Sequence, residues 1–143
     1  MTQPSFILAS ASPRRKDLLA QMGVVPSSII PADIDETPNR GEAPRAYAQR
    51  MAQEKALAVS IQAPDNMVLA ADTVVACGKR ILPKAEDAQT AKQCLRALSG
   101  RRHRVLTAFA LYHGETKLAA KCIETLVQFK RLTEADIDWY LQR

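Results

Sequence analysis

Apolar positions along the chain come in short blocks whose spacing switches between strand-like and helix-like. Phe6-Ile7-Leu8-Ala9 predicts a short buried strand. Ser10-Ala11-Ser12-Pro13 then turns the chain into a helix, with Ser12 suited to the N-cap and Pro13 to the first helical position. Leu18, Leu19 and Met22 supply the apolar face of that helix, and Gly23 its stop. Residues 26–44 hold four prolines and the acidic residues Asp33, Asp35 and Glu36, the pattern of a loop with a short strand. A second helix is expected from about Pro44 to Ile61. Its apolar stripe is Ala48, Met51, Ala52, Ala58 and Val59, and Lys55 falls on that same stripe.

Met67 to Ala76 is a nearly unbroken apolar run, which predicts a central strand buried on both faces and interrupted by Asp72. Gly78-Lys79 turns it into Arg80-Ile81-Leu82. A third helix is expected over roughly Glu86 to Leu98, with Ala88, Ala91, Leu95 and Leu98 on one side and Ser99-Gly100 as its stop. Two alternating strands follow. Val105, Thr107, Phe109 and Leu111 face one way in the first, and Ile123, Thr125, Val127 and Phe129 do so in the second. His113-Gly114-Glu115 is the bend between them. Thr133 caps a last helix that carries Ile137, Tyr140 and Leu141. Strands alternating with helices over 143 residues, without repeat or linker, predict one α/β domain spanning 1–143.

Composition narrows the function classes. Apolar residues make up 47% of the chain, enough for a core without disulfides or a structural metal. No apolar stretch approaches the roughly 18–20 residues that a membrane helix needs, so no membrane partner and a cytoplasmic location are expected. Three cysteines, Cys77, Cys94 and Cys122, lie far apart with no C-x-x-C pair, which argues against a disulfide framework and against zinc. A net charge of +5 favours an anionic partner without naming it. The basic residues cluster at Arg14-Arg15-Lys16 and at Arg101, Arg102 and Arg104, the distribution of two local anion contacts. Aromatic residues are only 5% of the chain, which weighs against stacking on single-stranded nucleic acid.

Several residues are candidates for chemistry. Ser10, Ser12, Arg14 and Arg15 bring two hydroxyls and two guanidinium forks to a helix N-terminus, where a phosphate chain would find donors; an ordinary cap with two solvated arginines is the plainer reading. Asp72 within a core strand must be paired, metal-bound or protonated, which fits a metal ligand or general base as well as a structural acid. Asp33 and Asp35 share a side if their stretch is extended, and with Glu36 they form an oxygen-rich group of the kind that holds magnesium, or a solvated loop. Lys55 sits on an apolar face where a surface lysine should not point, although a lysine can snorkel along a core edge. Lys84, after Leu82-Pro83, says little by itself.

Taken in order, these pieces resemble the Maf family of nucleoside triphosphate pyrophosphatases. The likeness rests on Leu8-Ala9-Ser10-Ala11-Ser12-Pro13-Arg14-Arg15, Asp35-Glu36, Glu54-Lys55-Ala56 and Ala71-Asp72-Thr73-Val74-Val75. Lys84, Leu98-Ser99-Gly100 with His103-Arg104-Val105, and Thr125-Leu126-Val127-Gln128-Phe129 continue it. The resemblance implies a mixed, twisted sheet flanked by helices, two lobes and a central cleft. It also implies hydrolysis of a nucleoside triphosphate, of the dTTP/UTP or modified-pyrimidine type, to monophosphate and pyrophosphate with a divalent metal cation, Mg2+ or Mn2+.

Carried onto this chain, Asp72 would be the proton acceptor, and Arg14 and Thr73 would bear on substrate choice. Ser10, Arg15, Lys55 and Lys84 would line the phosphates, and Asp35, Glu36 and Asp72 would hold the metal. The resemblance further implies a homodimer. Two departures stand out. The family's G-K-P is here Pro83-Lys84-Ala85. The family also continues with a K-A-G-x-Y-x-I-Q-G segment and a G-L-P strand, so a chain truncated at its C-terminus is expected. The rival readings are a nucleic-acid-binding protein, which explains only the charge, and a non-catalytic regulator of cell division, which the family's association with septum formation suggests.

Overall fold

The computed structural model describes residues 6–10, 13–83 and 87–142, with the side chains of Pro13 and Arg14 left out. Strand β1 (Phe6–Leu8) runs into helix α1 (Pro13–Gln21), and the short strand β2 (Ser28–Ile29) returns parallel to β1. Helix α2 (Pro44–Gln62) leads to the long strand β3 (Met67–Cys77), which turns through Gly78 into β4 (Arg80–Ile81). Helix α3 (Ala88–Leu98), the hairpin of β5 (Arg102–His113) and β6 (Thr116–Gln128), and helix α4 (Glu134–Leu141) complete the described chain. The strands form one mixed sheet in the order β2-β1-β3-β5-β6, with β4 on β3. The expected class is therefore observed.

Local signals placed most boundaries. Pro44 opens α2, where a missing N–H costs nothing. Thr133 and Asp136 form a reciprocal capping box at the start of α4. Gly23, Gly78, Gly100 and Gly114 all take positive φ, as the stops and turns require. Helix α3 starts at Ala88 and is capped by Asp87, whose carboxylate accepts from Thr90 N at 2.7 Å. The expected cap at Ser12 lies outside the described residues.

The core is built on one side of the sheet. Helix α2 lies across β3 and β5 and presents small residues to small residues: Ala48, Ala52 and Ala56 pack in one cluster with Ala70, Ala108 and Ala110. Small side chains let helix and strands approach closely, and Met51, Val59, Val68 and Leu106 fill the remaining space. Several expectations about burial are corrected by the structure. Ala58 is only partly buried and Ala56 takes its place, because 48, 52, 56 and 59 keep the helical period better.

Strand β3 is not buried equally on both faces either. Its buried set is Val68, Ala70, Asp72, Val74 and Ala76, toward α2; on the other face Ala71 is buried, Leu69 and Val75 stay partly open and Thr73 is exposed. On that other face, Leu18 of α1 and Met22 just after it are 52% and 75% exposed. A cavity of about 330 Å³ separates them from Leu69, Ala71 and Phe109. Val105, Thr107, Phe109 and Leu111 do share a face, yet the face packed under α2 is that of Leu106, Ala108, Ala110 and Tyr112.

One topological detail positions the site. Along a single edge of β3, β1 pairs with residues Met67 to Leu69 and β4 with Ala76 and Cys77. The backbone contacts that flank these pairings are Ala9 N to Leu69 O and Leu82 N to Val75 O, both 2.9 Å. Neither strand extends over the stretch between, and Asp72 and Thr73 lie in that gap.

Candidate active site

Asp72 is 1% exposed and sits at the middle of β3. Its Oδ1 accepts from Lys55 Nζ at 2.9 Å, and the same ammonium lies 2.9 Å from Glu36 Oε1. The lysine on the apolar stripe of α2 is thus explained: it reaches from the helix to the buried acid and gathers a second acid from the loop. A buried carboxylate needs such a partner, since desolvating a lone charge costs several kcal/mol. Tyr47, in the first turn of α2, donates its hydroxyl to the Glu36 carbonyl and fixes the loop backbone.

Arg15 approaches from the opposite side. Its Nη1 donates to Ser10 Oγ at 3.1 Å and its Nη2 to Thr73 Oγ1 at 3.5 Å, a residue 58 positions away. Burial pushes the Arg15 guanidinium below its ordinary value, and the negative charge of Asp72 opposes that push. Arg15 therefore lies within the field of the buried acid. Thr73 Oγ1 is also 3.4 Å from Thr107 Oγ1 on β5. A cavity of about 340 Å³ opens at the uncovered edge of β3, lined by Glu36, Tyr47, Asp72, Thr73, Leu82 and Pro83 among others. Because it opens at a strand edge, it takes side chains from both faces, Asp72 from one and Thr73 from the other.

The structure therefore brings together Ser10, Arg15, Glu36, Lys55, Asp72 and Thr73. Lys84 lies outside the described residues, directly after the cavity-lining Pro83, and so does the side chain of Arg14. Asp35 is placed apart. Its Oδ1 accepts from Thr37 N at 3.0 Å, the Thr37 side chain and then this backbone bond hold its carboxyl below the ordinary range, and it lines a separate cavity with Arg50 and Glu54. Among the described residues, no three acids, histidines or cysteines gather as a metal site. Glu36 and Asp72 do converge on one positive charge, and two carboxylates completed by phosphate oxygens are a usual magnesium donor set. The donor set thus fits a divalent cation held by Glu36 and Asp72.

Tyr47, Glu42 and Arg50 support this site and escape the sequence reading. Their signal is weak locally, because Arg50 meets Glu42 eight residues back across a loop. The basic cluster near the third helix is partly neutralised: Arg104 donates to Glu124 at 2.9 Å and to the Gly78 carbonyl at 2.8 Å.

Fold and site together define an α/β protein in which Ser10, Arg15 and a buried lysine–acid pair meet at a gap in the sheet edge. The chain belongs to the Maf family: the family model for Maf-like proteins matches residues 5–143. A dTTP/UTP pyrophosphatase of Rhodospirillum rubrum is 60% identical over 136 residues, covering 95% of this chain and 65% of that relative. A dTTP/UTP pyrophosphatase of Caulobacter vibrioides is 56% identical over 138 residues, 96% of this chain and 72% of the relative. The chain thus spans 65% of the length of the first relative and 72% of the second. A HAM1 protein from Coxiella burnetii has a similar fold, with a TM-score of 0.54 at 18% identity over 87% of this chain and 71% of its own. No helix among the described residues is long and apolar enough to cross a membrane.

Proposed function

We propose that this chain carries the catalytic centre of a nucleoside triphosphate pyrophosphatase, acting on dTTP and UTP with a divalent cation and with Asp72 as general base. The observation that carries the reading is the ion pairing of Lys55 with Asp72 and Glu36 at an open cavity lined by Glu36, Asp72 and Thr73, with Arg15 bonded to Thr73. The family membership and the names of the relatives support the substrate class.

Arg15 and Ser10 bind phosphate oxygens through the guanidinium and the hydroxyl. Lys55 holds Asp72 in place and adds positive charge near the transferred group. Asp72 takes the proton of the attacking water as its oxygen bonds to the α-phosphorus. The bond from that phosphorus to the bridging oxygen breaks, and the electron pair leaves with pyrophosphate. A divalent cation on Glu36 and Asp72 would neutralise charge on the phosphate oxygens. Thr73, bonded to Arg15 and facing the cavity, is positioned to touch the sugar or base. Positioning and preorganised charge supply most of such catalysis.

The test is product analysis with dTTP, UTP and other nucleotides in the presence of magnesium or manganese. Equal release of pyrophosphate and monophosphate, lost in Asp72→Asn, is the expected result. Full turnover by Asp72→Asn would overturn the assignment of the base, and salt-steep nucleic-acid binding without turnover would overturn the enzyme reading.

A further inference from the structure

We propose that Arg50 is a positioning residue: it clamps the Glu36-bearing loop onto α2 and thereby sets how tightly Glu36 and Asp72 hold a divalent cation. The proposal rests on the site reading above and adds a residue to it. The guanidinium contacts three separate stretches of chain. Its Nε and Nη2 grip the two oxygens of Glu42 at 2.7 and 2.8 Å, Nη2 also donates to the Thr37 carbonyl at 3.2 Å, and Nη1 donates to Glu54 at 3.0 Å. Glu42 Oε1 in turn accepts from Asn39 N at 2.9 Å, so one fork ties both ends of the 37–42 loop to the helix.

The clamp is adjacent to the acid it would position. Arg50 stands over the Tyr47 ring at 5.7 Å, and Tyr47 holds the carbonyl of Glu36. Two consecutive loop carbonyls, those of Glu36 and Thr37, are therefore gripped by α2 residues three positions apart. Lys55, further along the same helix, then receives the Glu36 carboxylate. That carboxylate is 42% exposed, so its placement depends on the backbone behind it. The fork itself is partly shielded, with Arg50 25% and Glu42 9% exposed, and a two-pronged guanidinium–carboxylate pair resists rotation better than a single contact. Glu42 is held down to about 2 by this partner, in keeping with a tight pair. An acid ordered before the cation arrives loses less freedom on binding it.

The experiment compares the chain with Arg50→Ala, Arg50→Lys and Glu42→Gln in three measurements. Amide hydrogen exchange over residues 35–42 is followed without metal, Mn2+ alone is titrated, and the magnesium dependence of pyrophosphate release is recorded. Arg50→Ala and Glu42→Gln should speed exchange over 35–42 and weaken Mn2+ binding about 10–100-fold, the usual cost of losing a residue that orients a ligand. The magnesium needed for half-maximal rate should rise in step, while kcat at saturating magnesium stays within about twofold. Arg50→Lys should fall between, since an ammonium cannot span Glu42 and the Thr37 carbonyl together. Unchanged exchange would overturn the clamp. Faster exchange with unchanged Mn2+ affinity, or no Mn2+ binding by the parent chain, would overturn its bearing on the cation. Absence of turnover would count against the proposed reaction only, because exchange and Mn2+ binding need no substrate.

Discussion

Lys55 Nζ lies 2.9 Å from Asp72 Oδ1, joining the middle of α2 to the middle of the central strand. The contact solves two problems at once. A lysine on a packed helix face and an acid in a core strand would each be costly to bury alone, and each supplies the countercharge the other lacks. Glu36 shares the same ammonium, so the pair is also linked to the cavity.

Removing one half of the pair should separate stability from activity. Lys55→Met leaves a 2%-exposed carboxylate without its ammonium, and urea unfolding should show a loss of about 3–5 kcal/mol. Asp72→Asn should retain the fold, since Lys55 keeps Glu36, while kcat falls about 10²–10⁴-fold. The double variant should be more stable than the sum of the single losses by about 0.5–3 kcal/mol. Strict additivity in unfolding would mean the two residues are not coupled.

The proposed function gives Arg15 the binding of ground-state phosphate. Its replacement by alanine removes the donor that links Ser10 to Thr73. Steady-state kinetics should show KM for dTTP raised about tenfold or more, the worth of ~1.5–3 kcal/mol for a charge-assisted hydrogen bond. An unchanged KM would remove Arg15 from the phosphate site.

Stability should fall on mild acidification because of His103. The ring is 4% exposed, packs edge-on against Phe129 at 4.9 Å, and is held below its ordinary value of 6.5 by burial. The unfolded chain therefore takes up the proton first, so His103 weakens folding only as pH drops below that ordinary value. Urea midpoints measured at about pH 7.5 and 5.5 should diverge more for the parent chain than for His103→Leu. Equal pH dependence in both would contradict the assignment.

Glu42 acts in a lower window with the opposite origin. Its carboxyl is depressed from 4.5 to about 2, chiefly by the Arg50 hydrogen bonds. The unfolded chain binds its proton at the higher value, so this contribution is whole above pH 4.5 and is lost as pH falls toward 2. Acid unfolding of Glu42→Gln should lack that part of the slope. A Glu42 side-chain carboxyl resonance titrating near 4.5 in the parent chain would exclude the tight pair.

Much of the architecture was decided by short stretches of sequence. Pro44, Asp87 and Thr133 start helices, and Gly23, Gly78, Gly100 and Gly114 end elements or turn the chain, because caps and positive φ values are satisfied within a few residues. The same locality made the strand-to-helix turn at Ser10–Arg15 and the anomalous charges Lys55 and Asp72 visible as candidates. Periodicity also showed which residues share a face. It did not show which face would be covered: the large residues Val105, Phe109 and Leu111 look like the core side, yet α2 packs on Leu106, Ala108 and Ala110. That choice depends on how closely two elements can approach, and alanines on both allow it.

Pairing was likewise a tertiary outcome. Lys55 with Glu36, Arg15 with Thr73, and the Arg50 fork all join residues that only the folded backbone brings together, so no local pattern encodes their distances. The residue types were set by the sequence, and the electrostatics that make them a site were set by the gap between β1 and β4.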